Sequence, residues 1–162
     1  MDEIMAIKPR FGEQKMTYKE EVRDLFSVPD DYYLAHCISG DYALGAGIAV
    51  EFNKRFDMRR KLKEDYSDYW SDMKNFGYQG ECILIDKVLN LLTKERYFHK
   101  PTYVSMRDSL KCMKIVCRAN GIKKVAMPLI GCGLDRLKWD KVSAMIQEIF
   151  ANEDIEILVC RQ

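Results

Sequence analysis

The sequence is short of most features that mark specialised protein classes. Four prolines and nine glycines in 162 residues exclude a collagen-like or proline-rich repeat. There are two histidines, and six cysteines with no C-x-x-C pair, so no structural zinc site is expected and the metal and cofactor sets are read as empty. Neither charge sign dominates: 26 basic against 25 acidic residues leave a net charge of +1. No broad positive field exists to hold duplex nucleic acid through counter-ion release. No apolar run approaches the length needed to span a bilayer, and Met1-Asp2-Glu3-Ile4 places acids where a secretion signal needs bases. These absences predict an intracellular protein, cytoplasmic or, in a eukaryote, nuclear, with no membrane partner.

What is present is a hydrophobic fraction of 48% beside 31% charged residues, enough apolar mass for one core. No repeat, low-complexity segment or linker divides the chain. The expectation is a single monomeric domain over residues 1–162, with 1–13 as an N-terminal extension. Cys37, Cys82 and Cys160 sit in apolar strand-like runs, where a free thiol behaves as a small hydrophobe.

Strand and helix signals alternate. Residues 32–38 read as a strand, followed by the glycine-rich turn Gly40 to Gly47 and a helix from Ile48 to Asn53. Residues 82–85 and 89–93 read as two paired strands. Thr102 is placed to cap a helix with Met106, Leu110, Met113 and Cys117 on one face, ending at Gly121. A short strand, Val125 to Met127, stops at Pro128. Trp139, Val142, Met145, Ile146, Ile149 and Phe150 trace a further apolar helical stripe, and residues 155–160 form a last strand. Such alternation gives an α/β sandwich, whose ligands sit beyond the carboxyl ends of the strands.

Two glycine loops each join a strand to a helix: Gly40-Asp41-Tyr42-Ala43-Leu44-Gly45-Ala46-Gly47-Ile48 and Ile130-Gly131-Cys132-Gly133-Leu134. Neither is a Walker A sequence or a full G-x-G-x-x-G. Each alone is a tight turn; paired at equivalent sheet edges they suit a clamp on a diphosphate, held by backbone N–H groups and helix N-termini.

Six segments then match one family in order: residues 34–39 (Leu-Ala-His-Cys-Ile-Ser), 45–50 (Gly-Ala-Gly-Ile-Ala-Val), 99–103 (His-Lys-Pro-Thr-Tyr), Met127-Pro128, 130–137 (Ile-Gly-Cys-Gly-Leu-Asp-Arg-Leu) and 142–146 (Val-Ser-Ala-Met-Ile). The chain resembles macrodomains, and among them the terminal ADP-ribose protein glycohydrolase branch. The resemblance implies a three-layer α/β/α sandwich around a mixed, largely parallel sheet. It implies ADP-ribose and ADP-ribosylated protein as partners, with hydrolysis of ADP-ribose from glutamate or aspartate carboxylates and from O-acetyl-ADP-ribose. It also implies Lys94 as nucleophile and Asp135 as general base. Without the resemblance, Lys94 reads as a solvated residue at a strand end, and Asp135 as an N-cap or first-turn acid before the Trp139 helix. An ordinary lysine amine is neutral in only about one molecule in 2,500 at pH 7, so attack requires a group that takes its proton.

The same resemblance places Asp24 and Leu25 at the adenine, and Ser39, Thr93 and Pro128 beside the sugars and diphosphate. The glycine-loop residues Gly45, Gly47, Ile48, Leu129, Ile130, Gly131, Cys132, Gly133 and Leu134 complete the ADP-ribose contacts, with Gln162 at the adenosine side. Asp24 reads equally as a turn acid. Tyr42, Tyr97 and Phe98 are candidates to stack on adenine or cover a ribose, with packing as the favoured role; His36 and His99 read as structural. The chain departs from the family at Leu129, where an arginine is expected, and at its final residues, Val159 to Gln162. Residues 55–80 are rich in cations (Arg55, Arg59, Arg60, Lys61, Lys63) and aromatics (Tyr66, Tyr69, Trp70, Phe76). They form either a solvated helix or a surface for ADP-ribosylated nucleic acid, which is the second substrate class considered. A non-catalytic ADP-ribose reader is the remaining alternative.

Overall fold

The apolar runs become strands of one sheet in the computed structural model, which describes residues 16–66 and 80–162. In chain order they are β1 (Thr17–Val22), β2 (Tyr33–Ser39), β3 (Glu81–Ile85), β4 (Val88–Lys94), β5 (Lys124–Met127) and β6 (Glu156–Arg161). Their spatial order is β1-β6-β5-β2-β4-β3. Every pairing is parallel except the β3–β4 hairpin. The sheet is therefore mixed and largely parallel.

Both faces of the sheet are covered, because its central strands are apolar on alternate sides. On one face Ala35, Leu89, Leu91, Val125, Ile157 and Val159 pack against α3 (Tyr103–Asn120) and α4 (Trp139–Phe150). On the other, Leu34, Ile38, Leu92, Ala126 and Leu158 meet α1 (Ile48–Phe56), α2 (Met58–Asp65) and the 3-10 turn Leu25–Ser27. The result is the three-layer arrangement expected for a macrodomain. Among the described residues, no helix is long and apolar enough to cross a membrane.

Helix ends follow the sequence closely where local chemistry sets them. Thr102 caps α3 through a reciprocal box with Ser105, and Gly121 ends the helix at φ 64°. Of residues 57–79, whose structure the sequence left open, 58–65 form α2. Residues 67–79 lie outside the described residues, and with them Tyr69, Trp70 and Phe76. The six cysteines are free thiols.

Two polar features bind the layers. On α3, Ser105 and Ser109 each donate to a β4 carbonyl at 2.7 Å, those of Thr93 and Leu92. The backbone at Gly80 presses into the same helix, where a Cβ would lie 2.3 Å from the Ser105 carbonyl oxygen. On the opposite face His36 is fully buried, stacked on Phe52 at 3.8 Å, with Nε2 2.6 Å from Asn90 Oδ1. Asn90 Nδ2 donates to the Ile83 carbonyl, which leaves Oδ1 to accept from the imidazole. His36 is thus a structural residue.

Burial holds the His36 imidazole down to about 4, against the opposing pull of the Asn90 bond. The folded value lies below the unfolded one, so the unfolded chain binds the extra proton between these limits. Stability from this residue is complete above about pH 6.5 and is lost as pH falls towards 4. Between pH 7 and pH 5 the folding equilibrium should drop about twentyfold through His36 alone. Urea midpoints for the wild type and His36→Gln at both pH values test this; parallel losses in the two proteins would remove the assignment.

Candidate active site

Neighbouring strands β2 and β5 send their following helices to opposite faces: α1 packs on one and α4 on the other. Their connecting loops must diverge, and parallel sheets open a crevice at such a point. Here the crevice is a cleft of about 1030 Å³ running across the carboxyl ends of the central strands. From β6 to β4 it crosses three strand spacings, about 14 Å, which suits an elongated ligand.

The first loop forms one wall, with Gly45, Gly47 and Ile48 lining the cleft. Gly47 adopts φ 61° and ψ −150°, a region that only glycine enters freely, and it leads into α1 without a side-chain cap. The free end of α1 therefore faces the cleft with its amide dipoles. Two non-glycine residues of this loop also have positive φ, Tyr42 (55°) and Leu44 (45°). Both side chains are buried in the α1-side core, which fixes the strained backbone. Tyr42 is thus a packing residue and not a stacking surface.

The second loop forms the facing wall, where Pro128, Leu129, Ile130, Gly131, Cys132, Gly133 and Leu134 all line the cleft. Gly131 sits at φ 74°, and a Cβ there would meet Met106 Cε at 2.6 Å. Gly133 is different: it has no positive φ, and a Cβ would meet nothing within 4 Å. The loop is moored from outside by Lys100 Nζ on the Leu134 carbonyl (3.0 Å) and Tyr103 OH on the Lys138 amide (3.1 Å).

At the β4 end of the cleft, Lys94 Nζ donates to Asp135 Oδ1 at 2.8 Å. Their side chains are only 16% and 17% exposed. The pair is 41 residues apart in sequence, joined only by the fold. Asp135 does not cap α4, whose N-cap is Lys138 without a side-chain bond. Lys94 reaches the cleft through a register shift in which Ile38 pairs with Leu92 but Ser39 with Lys94. Thr93 is the extra residue of this bulge. Its side chain is 1% exposed and is not part of the cleft lining, so the structure separates Thr93 from the other candidates.

The far end is built by Asp24, Leu25, Phe26 and Gln162. Asp24 caps the 3-10 turn by accepting from the Phe26 amide at 3.1 Å, so its turn role and its place in the cleft coincide. Arg55 lies over the Phe26 ring at 4.3 Å and pairs with Glu51 at 2.9 Å. Other cations of the 55–63 cluster are similarly engaged, Arg60 with Asp57 and Glu64, and Lys61 with Asp86. Within the described residues this favours a solvated helix over a phosphate-binding surface.

The thiols of the cleft are poor nucleophiles. Burial, with the Asp135 charge adding to it, pushes Cys37 up to about 12, and burial takes Cys132 to about 11. Neither is a thiolate at neutral pH. One organising residue had not been singled out from sequence. Asp41 accepts from Ser39 Oγ (2.6 Å), the Ala43 amide (3.2 Å) and the Tyr97 amide (3.0 Å), stitching the first loop to the segment after Lys94. An Asp two residues beyond a strand-end Ser is the only local signal for it. His99 Nδ1 accepts from the Arg96 amide and shapes the same segment.

No protein-family model matches the chain. The human protein ADP-ribose glycohydrolase OARD1 is 44% identical over 140 residues, covering 84% of this chain and 86% of that protein. Its Bos taurus counterpart is 43% identical over the same length and shares. Among solved structures, the macrodomain of Thermus aquaticus DarG matches with a TM-score of 0.70 at 20% identity, covering 91% of this chain and 99% of that one. Thermosipho africanus DarTG in complex with ADP-ribose matches with a TM-score of 0.61 at 17% identity, covering 85% of this chain and 39% of that one. At these identities the structural likeness establishes the fold.

The two glycines of the second loop should respond differently to a methyl group. Gly131→Ala combines a left-handed backbone with a clash on Met106 and should cost about 1–3 kcal/mol, seen as a Tm lower by several degrees. Gly133→Ala should leave the Tm within about a degree. Equal Tm values for the two variants would contradict the loop geometry.

Proposed function

Because the chain belongs to the macrodomain family, alongside ADP-ribose glycohydrolase OARD1, we propose that it is an ADP-ribose glycohydrolase that releases ADP-ribose from glutamate and aspartate side chains, with Lys94 as nucleophile and Asp135 as proton acceptor. The observation that carries this reading is the part-buried 2.8 Å contact between Lys94 and Asp135 at the end of a cleft long enough for ADP-ribose.

The pair supplies each step with water as the only further reagent. As Lys94 Nζ bonds to C1″ of the distal ribose, one of its protons passes to Asp135, and the bond from C1″ to the substrate carboxylate breaks. The carboxylate leaves with the electron pair. Asp135 hands the proton it took to the departing carboxylate and so regains its charge; in the second half it takes a proton from water. The resulting hydroxide bonds to C1″, the Nζ–C1″ bond breaks with its electron pair going to Lys94, and Asp135 returns the water proton to Nζ, restoring the starting pair. Asp135, 2.8 Å from Lys94 Nζ, is placed to accept the proton during attack.

The glycine loops do the binding. Gly47 and the start of α1, with Gly131 to Leu134 opposite, offer backbone donors to the diphosphate on two sides. Asp24 and Phe26 suit adenine, the carboxylate accepting from its exocyclic amine and the ring offering an apolar face. Energy gained on this non-reacting half of the substrate places C1″ against Lys94.

Lys94→Ala should abolish release of ADP-ribose from a glutamate-modified protein while ADP-ribose still binds. Retained turnover in that variant removes the lysine mechanism. A wild type that binds ADP-ribose and releases none makes the protein a reader. For the clamp, Gly133→Val should weaken ADP-ribose binding at least about thirtyfold, about 2 kcal/mol, by calorimetry. Gly133 has room for a side chain in the free protein, so unchanged affinity would reduce the loop to a simple turn.

A further inference from the structure

Eight large hydrophobic side chains are exposed among the described residues, and two of them, Tyr97 and Phe98, touch one another just after Lys94. Tyr97 (66% exposed) and Phe98 (64%) follow Lys94 within four positions. Exposed apolar side chains scattered singly need no explanation, whereas a cluster beside a site marks a contact surface.

The cluster is held in place. The Tyr97 amide donates to Asp41, which is itself anchored to Ser39 and Ala43. The Tyr97 and Phe98 rings meet edge to face at 5.3 Å, and Phe98 rests on His99 at 4.7 Å. Lys100 joins this segment to the second loop through the Leu134 carbonyl. Tyr97 and Leu134 both line the cleft, while Phe98 extends the surface beyond it. The shelf is therefore continuous with the site and largely fixed before anything binds.

The bond that breaks lies at C1″, between the ADP-ribose held along the cleft and whatever carries it. Lys94 stands at the β4 end of the cleft, where that carrier is joined, and Tyr97 and Phe98 follow it in the chain. We infer that Tyr97 and Phe98 form a docking shelf for apolar side chains next to the modified residue of an ADP-ribosylated polypeptide, and so set which modified sites are favoured. This rests on the reading that the cleft releases ADP-ribose from carboxylates. Two observations favour a polypeptide over a nucleic acid. The rings stand at 89° to one another, a corner that receives aliphatic groups and not a flat platform for successive bases. The cations at this end whose partners are seen are already engaged: Lys94 with Asp135 and Lys100 with a carbonyl.

Binding in the Lys94→Ala background keeps substrates intact and separates this inference from the catalytic one. Three probes are compared by calorimetry: ADP-ribose, a glutamate-ADP-ribosylated peptide with leucines flanking the modified residue, and the same peptide with serines there. The leucine peptide should bind at least fivefold tighter than the serine peptide. Phe98→Ala should remove most of that difference while leaving the Kd for ADP-ribose within twofold, and Tyr97→Ala should act in the same direction on the leucine peptide. Equal affinity for the two peptides overturns the inference, as does an equal loss on ADP-ribose alone in Phe98→Ala. Preferential binding of an ADP-ribosylated oligonucleotide that is sensitive to Phe98→Ala would also overturn it. None of these readouts requires turnover, so a wild type without hydrolase activity counts against the Lys94 chemistry and not against the shelf.

Discussion

The whole site depends on one topological constraint at the middle of the sheet. β2 and β5 are parallel neighbours, yet α1 and α4 cover opposite faces. Two chain segments leaving adjacent strand ends in opposite directions cannot fill the space between them, and an open crevice is the unavoidable result. The glycine loops are the segments that diverge. Their left-handed residues, Gly47 on one side and Gly131 on the other, make both turns possible without occupying the gap. The ligand cleft is thus a product of strand order, and the chemistry has been fitted to its edge.

That edge is stiffened from behind. Lys94 ends β4 just after the bulge, and the carbonyls preceding it are held by Ser105 and Ser109 of α3, whose approach is allowed by the bare backbone of Gly80. Asp135 belongs to a loop tied down by Lys100 and Tyr103. The ion pair joins two independently supported backbones, so its geometry does not depend on the pair alone. Such support matters because a part-buried charged pair must offset the desolvation of both groups. Attack by an amine is also sensitive to displacements of about 1 Å.

The sequence made local features legible and long-range ones less so. Thr102, Gly121 and Pro128 act on backbone within a few residues, so the ends of α3 and β5 could be read directly. The two glycine loops were legible by their position between strand and helix signals. Asp41 and Gly80 were not, because what each does is decided by partners 56 and 25 or more residues away. Thr93 is a different case, since its burial was not legible either. A resemblance carries a residue by its place in a motif, but a single bulge reverses which neighbour faces the cleft. Here it buries Thr93 and turns Lys94 outward. The cation cluster after α1 was ambiguous for the opposite reason: its charges are visible in sequence, but the pairing of Arg60 and Lys61 with carboxylates that cancels them is a property of the fold.

The cleft divides its work along its length. Its glycine-loop walls are formed largely by backbone and small residues, which on the proposed reading offer a diphosphate fixed donors and do not adapt to different carriers. Its mouth is formed by large side chains on segments tied to Asp41 and Lys100, where contacts extend beyond the ADP-ribose half. Affinity for the common half of all substrates and preference among carriers then reside in different residues. Discrimination of this kind is cheap for a hydrolase, since one well-packed apolar side chain can shift selectivity by about 1–3 kcal/mol without altering the reacting groups. On the proposed reading, preference among carriers is set at the few positions following Lys94, which the Tyr97–Phe98 pair occupies in this chain.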